Sequence, residues 1–230
     1  MRAMYDTTMK SMRRITVFTD KYPLLGPLVW VLSVQYFVAQ LVVAAAWPAP
    51  HSWSQNLISD LGNTACGQYG QRFVCSPDHA LMNASFILLG ITMALGSLLI
   101  YTEFRRSRAS LLGFSAMALA GIGTMLVGAF PENTISAMHG IGAFLALGVG
   151  NFSLVILALA IRQARRGFRI YTFLSGVLSL VAFGLFVTNH YLGLGAGTME
   201  RLVSYPQTTW LILFGIYMTA TRVRARRQAK

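Results

Sequence analysis

The stretch HALMNASFILLGITMALGSLLIYTEFRRSR, residues 79–108, decides the fold. After His79 it runs to Tyr101 without an acidic or basic side chain. An apolar helix of roughly 20 residues, rising ~1.5 Å per residue, crosses ~30 Å of hydrocarbon. Arg105, Arg106 and Arg108 follow at once. Short basic segments beside a span stay in the cytoplasm, so the histidine end of this span points out and the arginine end points in.

Working outward in both directions, the same punctuation recurs. Further spans are expected at about Leu24–Trp47, Ser110–Phe130, Ser136–Ile161, Ile170–Tyr191 and Pro206–Thr221. Six spans with both termini inside place 17 of the 19 Lys and Arg residues on the cytoplasmic side and leave only Arg72 and Arg201 outside. An odd number would put a strongly basic terminus outside, against the same rule. All four His, and Asp60, Asp78, Glu132 and Glu200, fall on the outer side. The expected architecture is therefore all-α, a polytopic membrane helix bundle of six transmembrane helices with cytoplasmic N and C termini. A basic segment at 1–23 precedes a transmembrane domain at 24–221, whose longest connection is an outer loop at 48–78, and a basic tail occupies 222–230. Within the loop, Asn56–Gly62 is expected as a short helix lying on the membrane. Ala44-Ala45-Ala46 has the look of a signal-peptidase site, but the apolar run before it is too long for a cleaved signal, so it reads as an uncleaved helix.

A chain with 55% hydrophobic and 11% charged residues excludes a soluble domain. A net charge of +12 elsewhere points to nucleic acid. Here the basic residues sit in short loops and tails, where they set topology and contact anionic lipid, so membrane lipids are the expected partners and nucleic acid is not. Small residues on the third and fourth spans, including Gly121, Gly123, Gly142, Ala146 and Gly150, allow helix backbones to approach closely. They also suit a membrane-protein partner. Cys66 and Cys75 share the outer loop. The oxidising side of the membrane favours a disulfide, whereas free thiols or a metal pair fit a nine-residue spacing less well.

The chemistry-bearing residues gather near one face. His79 opens the second span with Asn83 a turn deeper; Glu132 and Asn133 end the third; His139 begins the fourth; Asn189 and His190 close the fifth; Glu200 and Arg201 precede the sixth. His79, His139 and His190 are candidate metal ligands, and zinc is the ion such a set would hold. Asp60 or Glu132 would then serve as general base, with Ser59 beside them. Arg201, Glu200, Asn83 and Asn189 are candidate ligand-binding groups, Arg201 through its planar fork. The bland alternatives are that His and Asn cap helix ends, that Asp78 is an N-cap, and that Glu200-Arg201 is a surface ion pair. The middle third of every span lacks ionisable residues, which weighs against an ion-coupled pump.

Ser59-Asp60-Leu61-Gly62, Phe130-Pro131-Glu132-Asn133, His139-Gly-Ile-Gly-Ala143 and Glu200-Arg201-Leu202 occur in that order. In these motifs the chain resembles the DUF998 family of bacterial and archaeal membrane proteins, from about Leu24 onward. The resemblance implies a multi-pass protein of a prokaryotic cytoplasmic membrane and marks Asp60, Glu132, His139, Glu200 and Arg201, but names no activity. A looser likeness joins Ser59, Asp60 and the three histidines to the inventory of the alkaline-ceramidase-like membrane hydrolases, with six spans in place of seven. Three functions remain open on the sequence: an outward-facing polar pocket for a lipid or lipid-like ligand, a metal-dependent hydrolase of outer-leaflet lipids, and a transporter of a neutral or lipid cargo.

Overall fold

The computed structural model describes residues 17–19, 21–104 and 107–228. Most of the expected basic segment at 1–23, with Arg105, Arg106 and the last two residues, lies outside these. Six long helices dominate: α1 (Leu25–Ala45), α2 (His79–Tyr101), α3 (Arg108–Ala129), α4 (Ser136–Ala160), α5 (Arg166–Val187) and α6 (Ala196–Gln228). Each packs on its sequence neighbours, and α6 closes against α1, so the bundle is a ring. The all-α expectation holds.

Five of the six, α1 to α5, are long and apolar enough to cross a membrane. The chain is an integral, multi-pass membrane protein. The sixth helix is longer, 33 residues or about 50 Å. It is less apolar because it carries Glu200 and Arg201 near its start and four arginines from Arg222 onward, with Ser204, Gln207 and Thr208 between, these three buried in the bundle. Its start also departs from the expected Pro206. The helix begins ten residues earlier, at Ala196, and runs straight through Pro206. Proline there cannot donate to the carbonyl of Leu202, four residues back, and the Ser179 hydroxyl of α5 supplies that bond instead, at 3.3 Å.

Two helices carry irregular turns. A 3-10 turn at Leu32–Val34 interrupts α1, and a π-helical segment at Phe144–Val149 interrupts α4. Just beyond the latter, the Asn151 amide donates back to the Leu147 carbonyl (2.7 Å) and across to Val203 of α6 (2.9 Å). The glycines act at crossings. A Cβ on Gly90 or Gly121 would strike the other's carbonyl, and the same holds for Gly123 and Gly142. These are the α2–α3 and α3–α4 crossings, held by close backbone approach.

The apolar core runs the length of the bundle, from Ile58, Leu61 and Met82 at one end to an aromatic cluster nearer the arginine end. Trp30 of α1 stands edge-on to Trp210 of α6 at 5.4 Å, and Trp210 stacks on Phe214 at 4.9 Å. Both tryptophans are fully buried, and Trp210 donates to the Thr172 hydroxyl at 2.8 Å. Near this end Glu103 pairs with Arg222.

The 48–78 connection is more structured than expected. Asn56–Gly62 does not form a helix on the membrane surface: Ser59–Gly62 is a 3-10 turn, and all four residues are buried. A β-hairpin follows, β1 (Gly67–Tyr69) paired antiparallel with β2 (Arg72–Val74), Tyr69 opposite Arg72. Cys66 and Cys75 join in a disulfide across its base. Asp78 sits at the N-cap of α2 but its side chain makes no capping bond.

Candidate functional site at the loop end of the bundle

The Trp53–Asn63 segment is drawn down over the mouth of the helix ring, and four buried ionisable side chains hold it there. Asp60 is wholly buried. Its carboxylate accepts two parallel bonds from Arg72 of β2, Nε to Oδ2 and Nη2 to Oδ1, both 2.9 Å. It also accepts from the Leu57 backbone amide at 2.7 Å and from the Asn56 side chain at 3.4 Å. Burial alone pushes this carboxyl up, but the Arg72 bonds and charge outweigh it and hold Asp60 below the usual carboxylate range.

Glu132, in the connection between α3 and α4, reaches the same turn from the other side. It accepts from the Ser59 hydroxyl at 2.9 Å and from Asn63 at 3.4 Å, and it hydrogen-bonds the Asp60 carboxyl. Burial, the Asp60 bond and the Asp60 charge push it up to about 8. Asp60 and Glu132 thus share one proton at neutral pH, ionised on Asp60 and protonated on Glu132, as expected for two adjoining carboxyls. The hairpin closes over them: Tyr69 donates to the Glu132 carbonyl at 2.9 Å and Ser76 to the Leu61 carbonyl at 2.7 Å.

Glu200 and Arg201, early in α6, complete the anchorage. Glu200 accepts from the Ile58 amide. One nitrogen of Arg201, Nη1, donates to three carbonyls at once, those of Trp53, Asn56 and Gly197, each at 2.9 Å. The guanidinium lies over the Trp53 ring, 4.8 Å from its centroid. Both residues are buried, so the surface ion-pair alternative is excluded, and neither Asp60 nor Glu132 is the partner of Arg201.

Beneath the roof made by Ile58 and Ser59 lies a cavity of about 60 Å³, room for a few waters. Tyr36, His139, Glu200, Ser204 and Gln207 give it polar corners, while Phe86, Leu89, Met93, Val127 and Ala146 make its walls apolar. The π-helical segment of α4 borders it through Ala146 and Leu147. π-bulges recur at functional sites because they reorient a helix face.

The three histidines expected as zinc ligands occupy three separate settings. His139 contributes to the cavity and donates from Nδ1 to the Phe130 carbonyl at 2.9 Å. His79 bonds the Ser76 carbonyl through Nδ1 at 2.9 Å. His190 is exposed in the turn between α5 and α6. Among the described residues no three side chains of His, Cys, Asp or Glu are placed to hold one metal ion. The donor set does not fit zinc. Asn189, next to His190, is also exposed, at positive φ, and its side chain accepts from the Tyr191 hydroxyl, away from the site. Asn83 does join the site: it donates to the Gly62 carbonyl at 2.8 Å and buttresses the turn from below.

Every motif acid and base thus converges on one turn: Asp60, Glu132, Glu200 and Arg201, with His139 one layer down. A family model described as a protein of unknown function, DUF998, matches residues 31–217. The chain belongs to the DUF998 family. The match spans α1 to α6 and includes every residue of the site. No curated protein and no solved structure matches the chain. The site also contains residues that sequence reasoning passed over. Arg72 is the chief counter-ion of Asp60, and Asn56 and Asn63 complete the acceptor shells. The available signal was that Arg72 and Arg201 are the two cations left among the outer segments.

Proposed function

We propose that this DUF998 protein is a membrane-embedded binding protein whose loop end faces the exterior and whose cavity takes one end of a lipid-like amphiphile, the rest of the molecule lying outside it. The placement of seventeen of nineteen basic residues in the other set of connections and the tails supports that sidedness. The observation that carries the ligand reading is the make-up of the cavity. An apolar chamber ringed by hydroxyl, amide and imidazole groups, under a roof held by buried charges, matches a molecule with a short hydrocarbon part and a hydrogen-bonding head. Tyr36 and Ser204 already bond each other across it at 3.1 Å. A ligand hydroxyl or amide would exchange for such bonds at little cost.

A hydrolytic reading rests on Ser59, whose hydroxyl donates to Glu132 at 2.9 Å. With Glu132 protonated at neutral pH it is a poor base for that serine, so binding is the stronger of the two.

The test is to fill the chamber. Ala146→Phe places a ring in the cavity without touching the Asp60, Glu132 or Arg201 anchors. Native mass spectrometry of wild type released from membranes is expected to retain a lipid-sized adduct that the Ala146→Phe protein, folded by circular dichroism, lacks. Equal adducts on both proteins, or none on wild type, would overturn the reading.

A further inference from the structure

Arg201 spends one nitrogen on three carbonyls and leaves the rest of its fork unused. Nε and Nη2 are buried without a hydrogen-bond partner, in a residue only 8% exposed. The Tyr205 hydroxyl, which donates to Gln40 at 2.8 Å, is the one side-chain oxygen within hydrogen-bonding reach of the guanidinium among the described residues, and it meets at most one of these N–H groups. Among the described residues no carboxylate forms an ion pair with Arg201. A guanidinium removed from water with two donors unmet is costly, and the usual resolution is an anion or water not yet counted.

The same neighbourhood holds three more unmet polar atoms. Both ring nitrogens of His51 and the indole Nε1 of Trp47 are buried without partners. They belong to one aromatic chain: Trp47 stands edge-on to His51 at 4.8 Å, His51 edge-on to Trp53 at 5.0 Å, and Trp53 covers Arg201. Burial and the nearby Arg201 charge push His51 down to about 4, so at neutral pH the ring is uncharged and offers one N–H. The unmet atoms are therefore almost all donors. None of these three side chains lines the cavity beneath Ile58.

We propose that Arg201, His51 and Trp47 form a second site, separate from the cavity, that binds a small oxyanion: a phosphate or carboxylate group, carried on a lipid head or free in solution. A planar guanidinium edge presents two parallel N–H bonds to two oxygens of such a group. Trp47 closes α1 at the membrane boundary, where tryptophans sit at head-group depth. The loop bearing His51 and the 41% exposed Trp53 separates the site from solvent.

Purified wild type in neutral detergent would be titrated with inorganic phosphate, with short-chain phosphatidate and with diacylglycerol, each against chloride at equal ionic strength, reading the thermal unfolding midpoint. Phosphate is expected to raise the midpoint, or phosphatidate to raise it beyond diacylglycerol, whose own shift reports the cavity and not the anion site. A response to phosphatidate alone identifies a lipid head, and a response to phosphate identifies the free ion. Arg201→Gln is expected to weaken binding about tenfold or more, the loss of a charge-assisted bond. His51→Phe keeps the ring stack and removes the nitrogens, with an expected loss of about threefold to tenfold. If Arg201→Gln does not fold, His51→Phe alone decides. The proposal is overturned if phosphate does not move wild type beyond chloride and phosphatidate does not move it beyond diacylglycerol, or if His51→Phe binds as tightly as wild type.

Discussion

The two ends of this bundle are held together by different physics. At the arginine end, Trp30, Trp210 and Phe214 fill the ring with aromatic surface. In lipid such a core gains from close packing rather than from escape from water, since the helices leave one apolar medium for another. At the loop end, Asp60, Glu132, Glu200 and Arg201 are buried and bonded chiefly to a turn and a loop rather than to neighbouring helices. One end is therefore governed chiefly by volume, with the Glu103–Arg222 pair at its edge. The other is sensitive to proton and redox state, and its stability is local to the roof over the cavity.

The largest expected effect is at the packed end. Trp210→Ala removes a fully buried indole and its bond to Thr172, which costs about 3–5 kcal/mol for a large aromatic truncation. The unfolding midpoint in denaturant is expected to fall at every pH, while hydrogen exchange in residues 56–63 changes little until the whole bundle opens. A midpoint loss that varies with pH would break the division between the ends. Next in size is the disulfide. Closing a loop of about ten residues contributes ~2–3 kcal/mol on the chain-entropy account. The Cys66→Ser, Cys75→Ser double variant is expected to speed hydrogen exchange in residues 57–63, because the hairpin carries Arg72 and so the counter-ion of Asp60. Unchanged exchange there would show that the hairpin holds Arg72 in place without the bridge.

This contrast also explains what was readable in the sequence. The spans announce themselves through runs of apolar residues ended by arginines, because hydrocarbon tolerates nothing else, and α2 needs no tertiary information to be recognised. The first ten residues of α6 were missed because Glu200, Arg201 and the glycines at 193–197 carry the signature of an exposed loop. They are helical because the Trp53–Asn63 segment supplies the partners that bury them. The same reasoning covers the site. The four motif acids and bases were legible as residues at one depth, and they do meet. The three histidines sat at a similar depth and do not meet, because depth along a helix fixes height but not the direction around the ring. Arg72 stands out in the sequence as a cation apart from the basic clusters, but its partner does not: the pairing with Asp60 depends on the hairpin between two cysteines, a shape set by strand pairing rather than by hydropathy.

The smallest expected effect separates the ends most cleanly. Glu132 is raised from its ordinary value of 4.5 to about 8, so the folded state holds a proton that the unfolded chain has already released. Below about 4.5 both states are protonated at Glu132 and its favourable contribution is complete. As pH rises from there towards 8 that contribution is lost, because unfolding increasingly frees a proton. Asp60 runs the other way: held below its ordinary 3.8, it stabilises the fold above that value and loses the effect only in acid. The roof is accordingly expected to be most stable near pH 4–5 and to weaken towards 8, on the ordinary and raised values of the pair. Glu132→Gln keeps an acceptor for Ser59 and a donor for Asp60 but has no proton to lose. Hydrogen exchange in residues 57–63 of this variant is expected to rise less steeply between pH 5 and pH 8 than in wild type, once corrected for the intrinsic rate, the remaining slope being carried by Glu200, which also holds the roof at Ile58. If the variant keeps the wild-type slope, the shared proton is not what holds the turn.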